Sequence, residues 1–230
     1  MLLRPLYRRI GVCYNDVGVP FSLAKHLSLG QQITLVDVGA RSGDFTRSIA
    51  SFCDVKRGLL VEVQPQHASN LRRDFRPPRF AVEGCAASDR HGTVQLEVNE
   101  FDATTSILPM DRCAREFNDL DVRLRETIEC PADTLDAIVE RNGITTVDLL
   151  KIDVQGAEHL VLAGAHGTLS KTFRVWCEVS FRPLYHRSAV FEDIYRTMHE
   201  KGFALVEIEP AYRGPGGELL QADALFVRIR

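Results

Sequence analysis

The stretch TLVDVGARSGDFT, Thr34 to Thr46, runs apolar into Asp37 and then sets Gly39 and Gly43 around Arg41. Glycine at the end of a strand lets the backbone come close to a ligand and take unusual φ values. The spacing is not the G-x-G-x-x-G of dinucleotide enzymes, and an acid at the first position repels a pyrophosphate. Asp37 suits a ligand bearing an ammonium or sulfonium charge. A second acid, Glu62, ends the next apolar run about twenty residues further on, where a carboxylate can accept both hydroxyl hydrogens of a ribose. Together they point to an adenosine-containing cofactor.

A third group lies in LLKIDVQGAE. Lys151 and Asp153 interrupt an apolar segment, and charges inside a buried strand usually have a partner or a task. Glu158 falls in the first turn of the helix expected next, where the dipole favours a carboxylate. Glu178 ends the run FRVWCEVS, and His186 follows it in a loop. Asp153, Glu178 and His186 are therefore candidates for a base that takes a proton from an alcohol-like acceptor.

These side chains need a scaffold with strand ends converging on one edge. The segments ITLVDVG, GLLVEV, RFAVEG, VDLLKIDV and FRVWCEVS read as buried strands, and helical segments alternate with them. Ser42 or Asp44 is the expected cap of the first of these helices, with Phe45, Ile49 and Phe52 inward, and Pro65 opens the next. Asp133 or Thr134 caps the helix in ADTLDAIVERNG, and Gly143 ends it. A doubly wound α/β fold with a mostly parallel sheet follows, and such sheets bind ligands at the carboxyl ends of their strands. TVQLEV alternates and is expected to be antiparallel and half exposed. FALVEIE and ADALFVRI form a closing hairpin across RGPGGE.

We expect residues 1–31 to form an N-terminal cap with a short helix at Phe21–Leu29. Residues 32–230 form one domain, with an inserted loop or short helix at about 99–125. The net charge of −3 gives no global basic excess that would recruit nucleic acid. Six widely and irregularly spaced cysteines, with no CxxC pair, read as reduced, mostly buried thiols and not as a zinc site. With no apolar run near the ~20 residues a bilayer requires, a cytoplasmic location is expected, and no metal site is predicted.

The combination DVGARSGDFT, LVEVQP, TLDAIVERNGITTVDLLKIDVQGAE and VWCEVS resembles the FkbM-type methyltransferases, over roughly Ile33 to Gly202. The resemblance implies a class I methyltransferase fold, Rossmann-like, with a seven-stranded sheet whose last strand is antiparallel. It implies S-adenosylmethionine as cofactor and methyl transfer to a hydroxyl of a sugar or natural-product scaffold, hence a small-molecule or glycan acceptor. Asp37, Gly39 and Gly43 would then hold the methionine and ribose side, and Glu62 the ribose hydroxyls. Cys85 and Ala86 would flank the adenine. Thr105 and Ser106 match a small hydroxyl-bearing pair near the cofactor, and Asp153 would face the methionine amino group or the acceptor. Two departures stand out. Gln155 replaces the usual Glu, and Arg41 stands where many methyltransferases have a third glycine, pointing outward or reaching the cofactor carboxylate. A nicotinamide-dependent oxidoreductase and a non-catalytic cofactor-binding protein are the alternatives.

Overall fold

The computed structural model describes residues 18–111 and 120–229. After a short helix α1 (Phe21–Ala24) come β1 (Gln32–Val38), α2 (Asp44–Phe52), β2 (Asp54–Val61), α3 (Pro65–Asp74) and β3 (Phe80–Glu83). Next are β4 (Ala86–Ser88), β5 (Gly92–Asn99), a 3-10 turn at Asp102–Thr104, β6 (Leu124–Thr134) and α4 (Leu135–Arg141). The chain continues with β7 (Leu149–Ile152), α5 (Glu158–Ala163), α6 (His166–Ser170), β8 (Arg174–Ser180), α7 (Phe191–Glu200), β9 (Phe203–Arg213) and β10 (Leu219–Arg228).

Seven strands make the main sheet in the order β3-β2-β1-β7-β8-β10-β9. The chain first winds outward from β1 to β3, then returns beside β1 with β7, so the strand order reverses between β1 and β7. That reversal opens the crevice in which open α/β sheets hold ligands. β10 is antiparallel to both β8 and β9 and lies between them. The continuous apolar runs are explained by double-sided burial: Leu35, Val36, Leu59, Leu60, Leu149 and Leu150 are all fully enclosed. Each such side chain contributes about 1.5–3 kcal/mol on leaving water.

Several local expectations shift. The first helix stops at Ala24 instead of Leu29, and residues 1–17 of the expected cap lie outside the described residues. Neither Ser42 nor Asp44 caps α2. Gly43 does, at φ 82°, where a Cβ would lie 2.5 Å from the Phe75 ring. Ser42 Oγ instead donates to Asp44. Ile49 is the enclosed apolar residue of α2, beside the buried Thr46, while Phe45 and Phe52 are half-buried. β6 runs through Ala132 and Asp133 before α4 begins, because Ala132 and Asp133 pair with Ala86 and Ala87. Thr134 is the cap, accepting from Ala137 N at 3.2 Å.

TVQLEV is antiparallel as expected, but its partner is β6 in a second sheet of order β4-β6-β5. That sheet carries the insert. Ser106 bridges back to Glu97, and Met110 bridges to Tyr185 beyond β8. Cys53, Cys85, Cys130 and Cys177 are free and buried; Cys13 and Cys113 lie outside the described residues. No helix among the described residues is long and apolar enough to cross a membrane.

Candidate active site

The site begins at the carboxyl end of β1. Asp37 is fully buried, and its Oδ2 accepts from Thr46 Oγ1 of α2 at 2.6 Å. Its Oδ1 lies 3.3 Å from Lys151 Nζ, on the neighbouring strand β7. Lys151 also stands 3.5 Å from Asp153 Oδ2 and donates to the Gly39 carbonyl at 2.6 Å. Burial alone would push the Lys151 ammonium down, but the Asp153 and Asp37 carboxylates reverse this and hold it above its ordinary value. The lysine and the two aspartates expected from the sequence thus form one cluster behind the glycine turn. Gly39 is required there: its φ is +77°, and a Cβ would meet the Asp153 carbonyl oxygen at 1.8 Å.

Glu62 lies one residue beyond β2. Its Oε2 accepts from Arg41 N at 2.6 Å and its Oε1 from Gln64 N at 2.8 Å. Two backbone N–H groups therefore fix the carboxylate, while each oxygen keeps a second lone pair for a ligand hydroxyl. Burial raises the Glu62 carboxyl; the Gln64 and Arg41 N–H groups restrain the rise. The Arg41 side chain takes the outward course. Its Nε donates to Asp102 Oδ2 at 2.9 Å, on the 3-10 turn of the insert. Gln64 Nε2 and His67 Nε2 reach the same carboxylate at 3.0 Å each. Burial opposes ionisation of Asp102, but these partners outweigh it and keep the carboxyl below its usual range. Asp102 thus ties the insert to the residues whose N–H groups hold Glu62.

A second cluster occupies the ends of β7, β8 and β10. Gln155 Nε2 donates to Asp153 Oδ1 at 2.8 Å and to Glu178 Oε2 at 3.2 Å. Gln221 Nε2 donates to Glu178 Oε2 at 2.9 Å, and Asp223 pairs opposite Glu178 across the β8–β10 ladder. Burial pushes Glu178 well above the usual carboxylate range, the charges of Asp153, Glu158 and Asp223 add to the rise, and Lys151 opposes it. Asp223 is raised to about 7 by burial and by Asp153. A glutamate at 155 would set a further negative charge between two carboxylates, whereas the amide satisfies both. Glu158 performs the helix-start role: its Oε1 accepts from Val154 N at 2.9 Å and Gly156 N at 3.2 Å.

The remaining expected residues fall in different places. Ser106 is buried and donates to the Gln155 carbonyl at 2.7 Å, fastening the insert over the second cluster. Thr105 Oγ1 accepts from Asn99 N at 3.4 Å, within the insert itself. Cys85 is buried between β3 and β4, 3.8 Å from Arg141 Nη2, and burial pushes its thiol to about 11. Ala86 opens β4 beside it. His186 is exposed. It lines a cavity of about 620 Å³ with Ile107, Leu108, Pro109 and Arg187, and its backbone N–H donates to the Pro109 carbonyl.

It is the preceding residue that turns toward the carboxylates: Tyr185 Oη lies 3.1 Å from Gln155 Oε1 and 3.2 Å from the Thr104 carbonyl. Sequence reasoning misses Tyr185, Gln221, Asp223 and Asp102. Asp223 carries a signal, an acid inside the apolar run ADALFVRI, of the same kind that draws attention to Lys151. Tyr185 carries none.

Strand order, a glycine turn at the switch point and acids at the ends of β1, β2, β7 and β8 define a class I methyltransferase fold. Residues 37–205 match the methyltransferase FkbM domain, and the chain belongs to that family of methyltransferases. It is similar to the 2-O-methyltransferase NoeI of Sinorhizobium fredii (strain NBRC 101917 / NGR234), 28% identical over 194 residues, covering 81% of this chain and 77% of that protein. Among solved structures, the methyltransferase FkbM of Methylobacillus flagellatus KT superposes with a TM-score of 0.57 at 16% identity. The match covers 97% of this chain and 50% of that one, so this chain spans about half the length of that relative. The family replaces the oxidoreductase alternative.

Proposed function

We propose that the chain transfers a methyl group from S-adenosylmethionine to a hydroxyl of a sugar or natural-product acceptor, a small molecule or glycan and not a nucleic acid. The observation that carries this reading is the pairing of two buried strand-end acids, Asp37 and Glu62, across the Gly39 turn. The residues present fit the cofactor. Gly39 lets the turn pack directly on the Asp153 carbonyl, Glu62 presents free lone pairs to a diol, and the part-exposed Asp153 carboxylate supplies negative charge for a cationic ligand. The name of the Sinorhizobium relative supports a hydroxyl acceptor.

When bound, the cofactor supplies an electrophilic methyl carbon on a sulfonium. In this reading the chain does the rest. Gly39 and Gly43 line the methionine and ribose side, Asp37 supports them from behind through Thr46 and Lys151 instead of touching the cofactor as the resemblance implies, and Cys85 and Ala86 lie beside the adenine. Arg41 contributes its N–H to the Glu62 carboxylate while its side chain fastens Asp102. Ser106 holds the insert against Gln155. Asp153 orients the acceptor, and Glu178 takes the proton from its hydroxyl. Burial raises the basicity of Glu178, which suits it to an acceptor of high pKa. His186 lines the cavity beside the insert and contacts the outer part of the acceptor. The protein works in the cytoplasm. Calorimetric titration with S-adenosylmethionine and with its demethylated product tests the reading; saturable binding of both is expected, and binding of neither would sink it.

A further inference from the structure

Tyr185 has one hydroxyl proton and two acceptors within reach, Gln155 Oε1 and the Thr104 carbonyl. The Thr104 carbonyl also accepts from Asn99 Nδ2 at 2.9 Å, so it stays satisfied when the tyrosine proton turns to Gln155. A side-chain amide has a donor end and an acceptor end. With Oε1 receiving the tyrosine proton, Nε2 must face Asp153 Oδ1 and the two Glu178 oxygens, at 2.8, 3.4 and 3.2 Å. Ionised carboxylates only accept, so this orientation serves the charged pair. The opposite orientation sets Oε1 against both carboxyls and so needs a proton on a facing one, and Glu178 is the group that burial pushes toward its protonated form. The carboxylic acid then donates to Oε1, Nε2 turns to the tyrosine oxygen, and the tyrosine proton passes to Thr104.

We propose that Tyr185 is a positioning residue that sets the orientation of the Gln155 amide, and through it the proton-accepting state of Glu178 and the hold on the insert at Thr104. Proton uptake by Glu178 reverses the amide, breaks the Gln155–Asp153 bond and moves the tyrosine's hydrogen bond onto the insert. The tyrosine ring is fixed for this role. It lies against Gly156, where a Cβ would come 2.6 Å from Tyr185 Cδ2, and its backbone bridges to Met110. Every charged neighbour of Glu178 bears on the same equilibrium. Asp153 beyond β7, Glu158 of α5 and Asp223 of β10 favour the proton on Glu178, and Lys151 of β7 disfavours it. Gln221 donates to Glu178 from β10 in either state. Tyr185 itself stays protonated as a donor, because burial and the nearby Glu178, Glu158 and Asp153 charges push it well above its usual range.

The inference rests on Glu178 as proton acceptor in the proposed reaction, but its test does not require turnover. The infrared carbonyl band of the protonated Glu178 carboxyl, identified by its loss in Glu178→Gln, is titrated in the free protein. Tyr185→Phe keeps the ring and removes one hydrogen bond from the ionised arrangement, that to Gln155, but two from the protonated one, those with Gln155 and Thr104, so the midpoint should move down by roughly half to one pH unit, the equivalent of the one extra hydrogen bond. With 3-fluorotyrosine placed at 185, a weaker acceptor of nearly the same shape, the bond from Gln155 Nε2 that exists only in the protonated arrangement weakens, so the midpoint should again move down, and this arm serves if Tyr185→Phe does not fold. An unchanged midpoint in either folded variant overturns the proposal. Where methyl transfer is measured, Tyr185→Phe should carry the acid limb of kcat to lower pH by the same shift and leave the cofactor KM unchanged. Absence of cofactor binding by the wild-type protein would instead refute the proposed reaction and leave the infrared result standing.

Discussion

Lys151 Nζ donates to the Gly39 carbonyl at 2.6 Å, so a buried ammonium on β7 braces the glycine turn of β1 from behind. The same ammonium neutralises Asp37 at 3.3 Å. Lys151→Met is isosteric enough to fill the space but leaves the fully buried Asp37 carboxylate without its cation. Removing one partner of a buried pair costs about 3–5 kcal/mol. Urea denaturation should show a loss of that size, and Asp37→Asn in the Lys151→Met background should recover part of it. A loss under about 1 kcal/mol, the range of an exposed pair, would mean that the ammonium is dispensable.

Asp102 is expected to behave differently. It gathers Arg41, Gln64 and His67, but Arg41 and Asp102 are both substantially solvated, and exposed pairs contribute about 0–1 kcal/mol each. Asp102→Ala should leave global unfolding within about 1 kcal/mol of wild type. Its effect should be local: amide hydrogen exchange at Thr104 and Thr105 should quicken, while the amides of β1 keep their protection. Equal acceleration in both places would contradict this.

The pH dependence of stability follows from the raised carboxyls of the second cluster. Asp223 in the folded protein titrates at about 7, far above an unfolded aspartate at about 3.9. Between these values the folded state holds the proton that the unfolded state has lost, so this group's contribution to stability falls as pH rises from about 4 to about 7. Asp223→Asn removes the titration. Thermal melts should therefore show a gain for Asp223→Asn that grows with pH through that window and levels off above it. A gain that is constant with pH, or largest at about pH 4, would be the wrong sign.

Asp136 gives the opposite case. Its carboxylate accepts from Thr168 N at 2.6 Å and Gly167 N at 2.8 Å, at the start of α6. Burial works against the charge, but these N–H groups prevail and hold the carboxyl below its usual range. Its contribution is present above the unfolded aspartate pKa and is lost as pH falls through the folded one. Asp136→Ala should cost about 1 kcal/mol at neutral pH, by analogy with loss of a helix cap, and progressively less in acid. An undiminished cost at the lowest pH that preserves the fold would refute this.

The sheet and the first cluster are legible in the sequence because their signals are local. An apolar run of strand length, broken by an acid or lysine and followed by glycine, gives the strand, its end and the charged groups together, as at Asp37, Gly39, Lys151 and Asp153. The same signal is weaker at Asp223, where the apolar residues of ADALFVRI dominate the pattern. The partition into two sheets is not legible. TVQLEV shows which of its faces is buried but not that its neighbour is β6, since alternation carries no record of pairing partner. The N-cap of α2 escapes the sequence because Gly43 and the polar residues flanking it compete for the same position. Gly43 prevails because Phe75 and Leu71, distant in sequence, leave no room for a Cβ there. Tyr185 and His186 show the limit most directly. Adjacent residues in a loop point to opposite environments, and only the backbone bridge to Met110 decides which one reaches Gln155.

The position of β10 also bears on biosynthesis. It enters between β8 and β9, which are both made before it, and it supplies Gln221 and Asp223 to Glu178. While a nascent chain has not yet released the residues beyond Leu219, β8 and β9 have nothing to join them and each presents an open edge. Five of the seven strands can therefore pair on the ribosome, but the groups that surround Glu178 are completed only when β10 emerges. Displacing β10 would therefore strip Glu178 of Gln221 and Asp223 and leave the glycine turn in place.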